Sequence, residues 1–239
     1  MQVKHTAAYR ALQRSERLRA VKHRLLPART TNRRIPRALG VGGLLDELER
    51  QQVNYVVLRW FDDLPRVEAG RDLDILVSDD DAEVLDGLLT RNPYRGTRTT
   101  VDLYSVTGRG DHAYKATACF PPRLAAGILD RSVRHPSGAR VPSAEDHFHS
   151  LAFHAVYHKG YRSGLPVSST EGLAFREASH DYGATLAKLA AAIGVAVVPT
   201  LRDLDDHLSD AGWRPPVDTL EKWAVSNKWL GRLLDELRA

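Results

Sequence analysis

The chain has 239 residues, of which 43% are hydrophobic and 27% are charged, and its formal net charge is +4. These proportions are typical of a globular protein with a sizeable core, which excludes a largely disordered chain. The single cysteine, Cys119, excludes an intramolecular disulfide and a zinc site built on cysteines. No apolar run reaches the roughly 20 residues of a membrane-spanning helix, and no secretory signal is recognisable. We therefore expect a cytoplasmic protein without a transmembrane segment.

The positive charge is concentrated at the start of the chain. Residues 1–38 contain eleven Lys or Arg and one acid, Glu16, so the rest of the chain carries 23 bases against 29 acids. A basic helix is predicted at residues 6–26 and a linker at residues 28–36. This arm either makes weak contacts with the phosphates of a nucleic acid or an anionic membrane, or is a solvated helix.

Between residues 39 and 142 the sequence predicts a core that contains both strands and helices. Strands are predicted at residues 54–59, 72–77, 98–106 and 113–120, followed by a hairpin at residues 132–141. Helices are predicted at residues 42–51, from the acidic turn 78–81 to about residue 90, and at residues 123–130.

Beyond Pro142 the alternating pattern gives way to helical spacing. Ser143 and Asp146 form a capping box at the start of the first helix of this region. Helices are predicted at residues 144–159, 171–194, 201–209 and 217–237. The order of elements indicates an α+β fold with a basic arm at residues 1–38, an α/β core at residues 39–142 and a helical domain at residues 143–239.

The segment Asp72-Leu73-Asp74-Ile75 combines a strand pattern with two closely spaced acids. Successive side chains of a strand point to opposite faces, so Asp72 and Asp74 project from the same face. Two neighbouring carboxylates repel each other unless a cation or a shared proton lies between them, and their hard oxygens suit Mg²⁺. Asp102, on the next predicted strand, adds a third acid whose burial would be costly without a cation. Three converging acids would form a metal template for displacement at phosphorus.

Arg59-Trp60, an eleven-residue gap, the strand Asp72-Leu73-Asp74-Ile75 and the later Asp102 together resemble the nucleotidyltransferase superfamily related to polymerase beta. The resemblance covers about residues 40–120. It implies a mixed β-sheet with flanking helices, followed by a helical substrate-binding domain. It also implies that Asp72 and Asp74 bind the metal, and that Asp102 is the third carboxylate and can accept the proton of an attacking hydroxyl.

The activity implied by this resemblance is the Mg²⁺-dependent transfer of a nucleoside monophosphate from a nucleoside triphosphate to a hydroxyl. The chain departs from the family at Arg59-Trp60, where the family has a Gly-Gly or Gly-Ser turn that approaches the nucleotide phosphates. Either Arg59 replaces this contact with its own charge, or the triphosphate site is lost. The acceptor is expected to be a small molecule or to contain a sugar, because an acidic body would repel an extended phosphate backbone.

Several basic side chains are candidates for contacts with phosphate or sugar oxygens. Helical spacing places His147, His154 and His158 on one face, and we expect His158 and the adjacent Lys159 to meet the nucleotide. Lys115, on the strand after Asp102, is a further candidate, although a strand-edge lysine commonly serves to prevent aggregation. For each histidine the alternative is a core position satisfied by the backbone. A metal-dependent hydrolase that uses this helix to bind zinc is a weaker hypothesis, because the metalloprotease Glu is missing and no nearby cysteine completes the site, so a third ligand would have to come from elsewhere.

A function of another class is also compatible with the sequence. In this alternative, the nucleotidyltransferase-like core has lost turnover, and the chain docks on nucleic acid or an anionic membrane through residues 1–38. Binding of this kind would weaken steeply with salt and would survive the exchange of Asp72 and Asp74 for Asn. An enzyme would lose its activity with the same substitutions.

Overall fold

The computed structural model describes residues 32–68, 71–172 and 180–239. The basic helix predicted at residues 6–26 lies outside this part of the chain. The described part is a mixed α+β structure with a small mixed sheet and eight α-helices. Within it, every helix is too short or too polar to span a lipid bilayer.

Four strands form the main sheet in the order β1-β4-β3-β2, and two short strands form a separate hairpin. The main strands are β1 (Arg33–Pro36), β2 (Tyr55–Val57), β3 (Asp72–Val77) and β4 (Gly96–Ser105). The hairpin consists of β5 (Val133–Arg134) and β6 (Arg140–Val141). Strands β3 and β4 are parallel, and the other pairs are antiparallel.

The helices are distributed on both sides of residue 142. The first three are α1 (Gly40–Arg50), α2 (Ala82–Leu88) and α3 (Pro122–Asp130). The remaining five are α4 (Ala144–Phe153), α5 (Tyr182–Ile193), α6 (Leu201–Asp210), α7 (Val217–Ala224) and α8 (Lys228–Arg238). A π-helix, His154–Lys159, continues α4 and is followed by a 3₁₀ turn, Gly160–Ser163.

The main sheet has an apolar cluster on each face. One cluster joins Leu73 and Ile75 of β3 to buried side chains of α1 and α2. The other joins Leu76 and Tyr104 to buried side chains of the C-terminal helices. The helical region therefore packs directly on the sheet, and the second face of the sheet is completed by residues beyond Pro142.

Sequence periodicity predicted most elements within a few residues, and strand β3 has the predicted bounds. The expected capping box is present at α4, where the Ser143 hydroxyl accepts a hydrogen bond from the Asp146 backbone N–H at 3.2 Å. The predicted helix 144–159 is continuous but changes from α to π hydrogen bonding at His154. Such π segments are frequent at functional sites.

Four predicted elements are wrong in detail. The helix predicted at residues 171–194 begins at Tyr182 in its described part, because the Asp181 side chain caps it by accepting from the Ala184 backbone N–H. The end of the expected linker forms strand β1, because Ile35 is fully buried and the backbone pairs with β4. The strand predicted at residues 113–120 is instead a tight turn, in which Lys115 and Ala116 have φ values of +48° and +64°. The helix predicted at residues 217–237 is broken before Asn227, whose buried side chain donates to the Tyr157 carbonyl at 3.0 Å.

Candidate functional site

A cleft of about 890 Å³ lies between the second face of the sheet and the helical region. Strands β3 and β4 contribute three acids, Asp72, Asp74 and Asp102. The segment after β2 contributes Arg59, Trp60 and Arg66 and three further acids, Asp62, Asp63 and Glu68. The helical region contributes His154, His158, Lys159, Arg162, His180 and Tyr182. The size is that of pockets for small ligands, which commonly enclose about 300–1,000 Å³.

The three acids singled out in the sequence all line this cleft. Asp74 and Asp102 are directly opposite each other on the parallel strands β3 and β4, so their side chains leave the same face of the sheet. Asp72 lies on that face two residues earlier and accepts a hydrogen bond from the Thr100 hydroxyl. Asp72 and Asp102 are exposed to the cleft, whereas Asp74 is only 8% exposed. The strand register alone therefore brings the three carboxylates together.

The buried carboxylate of Asp74 is paired with Arg59. The Arg59 Nη2 atom lies 2.6 Å from Asp74 Oδ1, and Arg59 is 7% exposed. Burial raises the pKa of Asp74 to about 6; Arg59 opposes this shift, while Asp102 and Asp72 add to it. Burial and the nearby Asp72 also raise the pKa of Asp102. The cluster thus carries more negative charge than one guanidinium neutralises.

Trp60 occupies the position at which the family resemblance places a small-residue turn. Its φ of +55° lies in the left-handed region that favours glycine. The indole stacks on His180 with ring centroids 3.8 Å apart and packs edge-on against Tyr182 at 5.2 Å. The backbone therefore turns at Trp60, and the side chain forms an aromatic wall of the cleft.

Basic side chains line the cleft beside the carboxylates. Lys159 is partly buried, and burial together with Arg59 lowers its pKa, although Asp74 opposes the shift. Arg162 is exposed and follows Lys159 in the 3₁₀ turn. Arg71 contacts His180, with Nη1 and Nε2 separated by 2.7 Å. The cleft thus combines acids on its sheet side with donors for an anion around them.

The predicted histidine face is divided by the structure. His154 and His158 are buried and line the cleft, and their Nδ1 atoms lie 3.1 Å apart. Burial lowers the pKa of both well below its usual range, so both are neutral at neutral pH. His147 lies elsewhere and packs against Phe61, with ring centroids 4.8 Å apart.

Lys115 does not line the cleft, although its charge acts on His158, which does. It lies in the tight turn that replaces the expected strand, and its ammonium group donates to the Ser226 hydroxyl. Sequence analysis missed the aromatic wall formed by Trp60, His180 and Tyr182. The stacked residues are 120 positions apart, so no local spacing could have indicated their contact.

The carboxylates are suitable in chemistry for a divalent cation. Among the described residues, no three histidine, cysteine, aspartate or glutamate side chains are placed to hold a metal by themselves. Mg²⁺ does not need such a cage, because it is usually bound by one or two carboxylates together with waters and substrate phosphates. The exposed Asp72 and Asp102, whose mutual repulsion a cation would relieve, fit that requirement.

His147 makes the stability of the fold sensitive to acid. Burial lowers the pKa of His147 from 6.5 to about 4, and its Nε2 atom is buried without a partner in the described part of the chain. As the pH falls below 6.5, the unfolded chain takes up the proton first, so stability present at pH 7 is lost. We expect His147→Leu to reduce the loss of unfolding free energy between pH 7 and pH 5 by about 1–2 kcal/mol. Urea denaturation at both pH values measures this; equal losses in the two proteins would contradict it.

Comparisons with known protein families, with curated proteins and with solved structures give no match to this chain. The function of the cleft is therefore inferred from its own side chains. Three carboxylates lie on adjacent parallel strands, and the buried guanidinium of Arg59 is paired with one of them, Asp74. Further basic side chains line the same cleft.

Proposed function

We propose that the chain is a Mg²⁺-dependent nucleotidyltransferase that moves a nucleoside monophosphate from a nucleoside triphosphate to a hydroxyl of a small-molecule or sugar-containing acceptor. The observation that carries this proposal is the convergence of Asp72, Asp74 and Asp102 on one cleft beside basic side chains. Acids alone would fit many cation sites. The adjacent bases favour a ligand that carries both a metal and phosphate groups.

The residues can be given separate roles in this reaction. Asp72 and Asp102, together with the more deeply buried Asp74, would hold Mg²⁺. When bound, the metal neutralises charge on the phosphate oxygens. Lys159 and Arg59 would contact the phosphates, because the charges of both interact with Asp74 in the cleft. The aromatic wall of Trp60 and His180 offers a flat apolar surface at the same opening.

The transfer requires a proton acceptor, and Asp102 is suited to this role. Asp102 is exposed to the cleft, and its carboxylate has two oxygens, so one can bind the metal while the other accepts a proton. In the proposed step the acceptor oxygen bonds to the α-phosphorus and the bond from that phosphorus to the bridging oxygen breaks. Pyrophosphate leaves, and the hydroxyl proton passes to Asp102.

The shape and charge of the cleft favour a small acceptor. Its volume of about 890 Å³ suits a nucleotide with a compact second substrate. Beyond residue 38 the chain has a net charge of −6, from 23 bases and 29 acids, which disfavours a long polyanion. The acceptor class therefore remains a small molecule or a sugar-containing compound.

The direct test is to incubate the purified chain with each nucleoside triphosphate, Mg²⁺ and a panel of sugars, sugar phosphates and other hydroxyl compounds. We expect pyrophosphate release with one nucleotide, together with an acceptor mass increased by one nucleoside monophosphate. The chain itself is included among the acceptors by intact-mass measurement. Chelation with EDTA should stop the reaction. If no combination of nucleotide and acceptor releases pyrophosphate, the proposed nucleotidyltransferase activity is contradicted.

A binding protein without turnover is the second candidate, and the Arg59–Asp74 ion pair favours it. This pair already places a cation against one of the carboxylates. Such a chain would bind a nucleotide in the cleft without pyrophosphate release and would dock on nucleic acid or an anionic membrane through residues 1–38. Titration with labelled RNA and anionic vesicles at increasing salt would separate the two functions, because binding by the arm should weaken steeply with salt.

A further inference from the structure

Arg59 occupies the place at the carboxylate cluster where a metal-binding site would have a cation. Its side chain is 6% exposed, and its guanidinium is 2.6 Å from the buried carboxylate of Asp74. It also affects the cluster beyond this contact, since its charge opposes the raised pKa of Asp102. Among the described residues that line the cleft, it is the base that forms an ion pair with one of the three acids.

We propose that Arg59 is an internal cation that competes with a divalent metal for the carboxylate cluster, so that the metal binds tightly only together with an anionic phosphate group that engages the guanidinium. This inference rests on the proposed function, because it assumes that Asp72, Asp74 and Asp102 form the metal site. It adds a coupling between the metal and the phosphate, and it assigns that coupling to one residue.

The competition follows from the charges at the cluster. A guanidinium fixed against Asp74 reduces the negative potential that attracts a dication, and it also repels the dication directly. Burial makes this repulsion stronger than it would be at the surface, where water and salt screen charges. Metal alone should therefore bind weakly, although the cluster contains three acids.

A bound phosphate group would reduce the repulsion between Arg59 and the metal. Arg59 is enclosed by the cleft wall and cannot place its charge in bulk water, so an anion bound in the cleft is its available alternative partner. Arginine binds phosphate oxygens well because its planar donors match their geometry. Once a phosphate shares the guanidinium charge, the repulsion on the metal falls. Linkage then requires that metal and phosphate each strengthen the binding of the other.

The position of Arg59 explains why one residue can couple both ligands. It precedes Trp60, whose left-handed φ turns the chain at the mouth of the cleft. The same turn that the family resemblance assigns to phosphate binding therefore carries a charge here. The exposed Arg66 lines the same cleft without contacting the three acids and provides a matched control.

The test measures Mn²⁺ binding to the full chain by electron paramagnetic resonance, without any nucleotide. We expect Arg59→Met to bind Mn²⁺ at least ten times more tightly than the unsubstituted chain, and Arg66→Met to differ by less than threefold. Inorganic phosphate, a weak chelator, should raise the Mn²⁺ affinity of the unsubstituted chain severalfold and have little effect on Arg59→Met. Equal Mn²⁺ affinity in the unsubstituted chain and Arg59→Met would overturn the proposal.

Removing Arg59 alone leaves Asp74 buried without its partner, which can impair folding. A second comparison uses Asp74→Asn with and without Arg59→Met. The single variant leaves Arg59 without its carboxylate, so urea denaturation first establishes that both proteins are folded. The double variant has no unpaired buried charge, and we expect it to bind Mn²⁺ at least fivefold more tightly than Asp74→Asn alone. Identical affinities would again overturn the inference.

The results also separate this inference from the proposed function. Nucleotidyl transfer with no effect of Arg59 on Mn²⁺ affinity leaves the proposed function standing and removes the coupling. A strong effect of Arg59 without transfer supports the coupling and argues against the enzyme. Absence of Mn²⁺ binding in every protein contradicts both.

Discussion

Asp102→Asn is expected to reduce nucleotidyl transfer by at least about 100-fold, the usual scale for removing a group that stabilises charge at a reacting centre. The substitution replaces one carboxylate oxygen by an amide NH₂ group and removes the negative charge, so it weakens the proposed metal ligand and removes the proposed proton acceptor together. Stability should not fall, because desolvation of the carboxylate and the nearby Asp72 both disfavour the charge of Asp102 in the folded chain. Steady-state rates and urea denaturation of the same protein preparation measure the two effects.

The matched control for this prediction is Asp63→Asn. Asp63 also lines the cleft, but it is exposed on the segment after β2 and is not part of the carboxylate cluster on β3 and β4. We expect its activity to stay within about threefold of the unsubstituted chain. If both substitutions reduce activity equally, overall negative charge at the cleft matters and the strand cluster has no special role. If Asp102→Asn retains full activity, Asp102 is not a reacting group.

Gly160→Ala is expected to lower the free energy of unfolding by about 3 kcal/mol or more, from backbone strain and a steric clash combined. Gly160 has a φ of +53° at the end of the π-helix. A Cβ atom there would overlap the Asn227 side chain and lie 2.9 Å from Trp229 Cβ. Neither neighbour moves freely, because Asn227 is hydrogen-bonded to the Tyr157 carbonyl and Trp229 is fully buried. Urea denaturation monitored by tryptophan fluorescence measures the loss.

Two other glycines separate the contributions to this effect. Gly194 has a φ of +73° with open space around it, so Gly194→Ala should cost only the strain, about 1 kcal/mol. Gly87 lies in helix α2 with open space and without a positive φ, so Gly87→Ala should stabilise the chain by about 0.5–1 kcal/mol. A loss at Gly160 no larger than that at Gly194 would show that the tight packing beside the cleft is not needed for stability.

The sequence was most informative where a local pattern decides the outcome. Strand β3 was predicted with its observed bounds, because alternation and β-propensity agree over residues 72–77. The capping box at Ser143 depends only on residues three apart and was predicted as well. The sequence did not predict strand β1 or the break before Asn227. Each of these features depends on a partner more than 60 residues away.

The candidate site also has features that follow from a local sequence pattern and features that depend on distant residues. Alternation placed Asp72 and Asp74 on one face of a strand, and the third acid, Asp102, lines the same cleft. The sequence did not predict that Arg59 is buried against Asp74. It also did not predict that Trp60 stacks on His180, or that Lys115 lies outside the cleft.

By itself, the sequence determined most of the elements, the mixed α+β character of the chain and the acids that share a strand face, because these follow from spacings of two to four residues. Only the tertiary structure decided which strands are adjacent, which bases stand beside the acids and which charge is buried. The physical reason is that register and burial are set by packing between distant segments. The cost of burying a charge, which gives Asp74 its raised pKa and Arg59 its fixed partner, exists only once those segments have met.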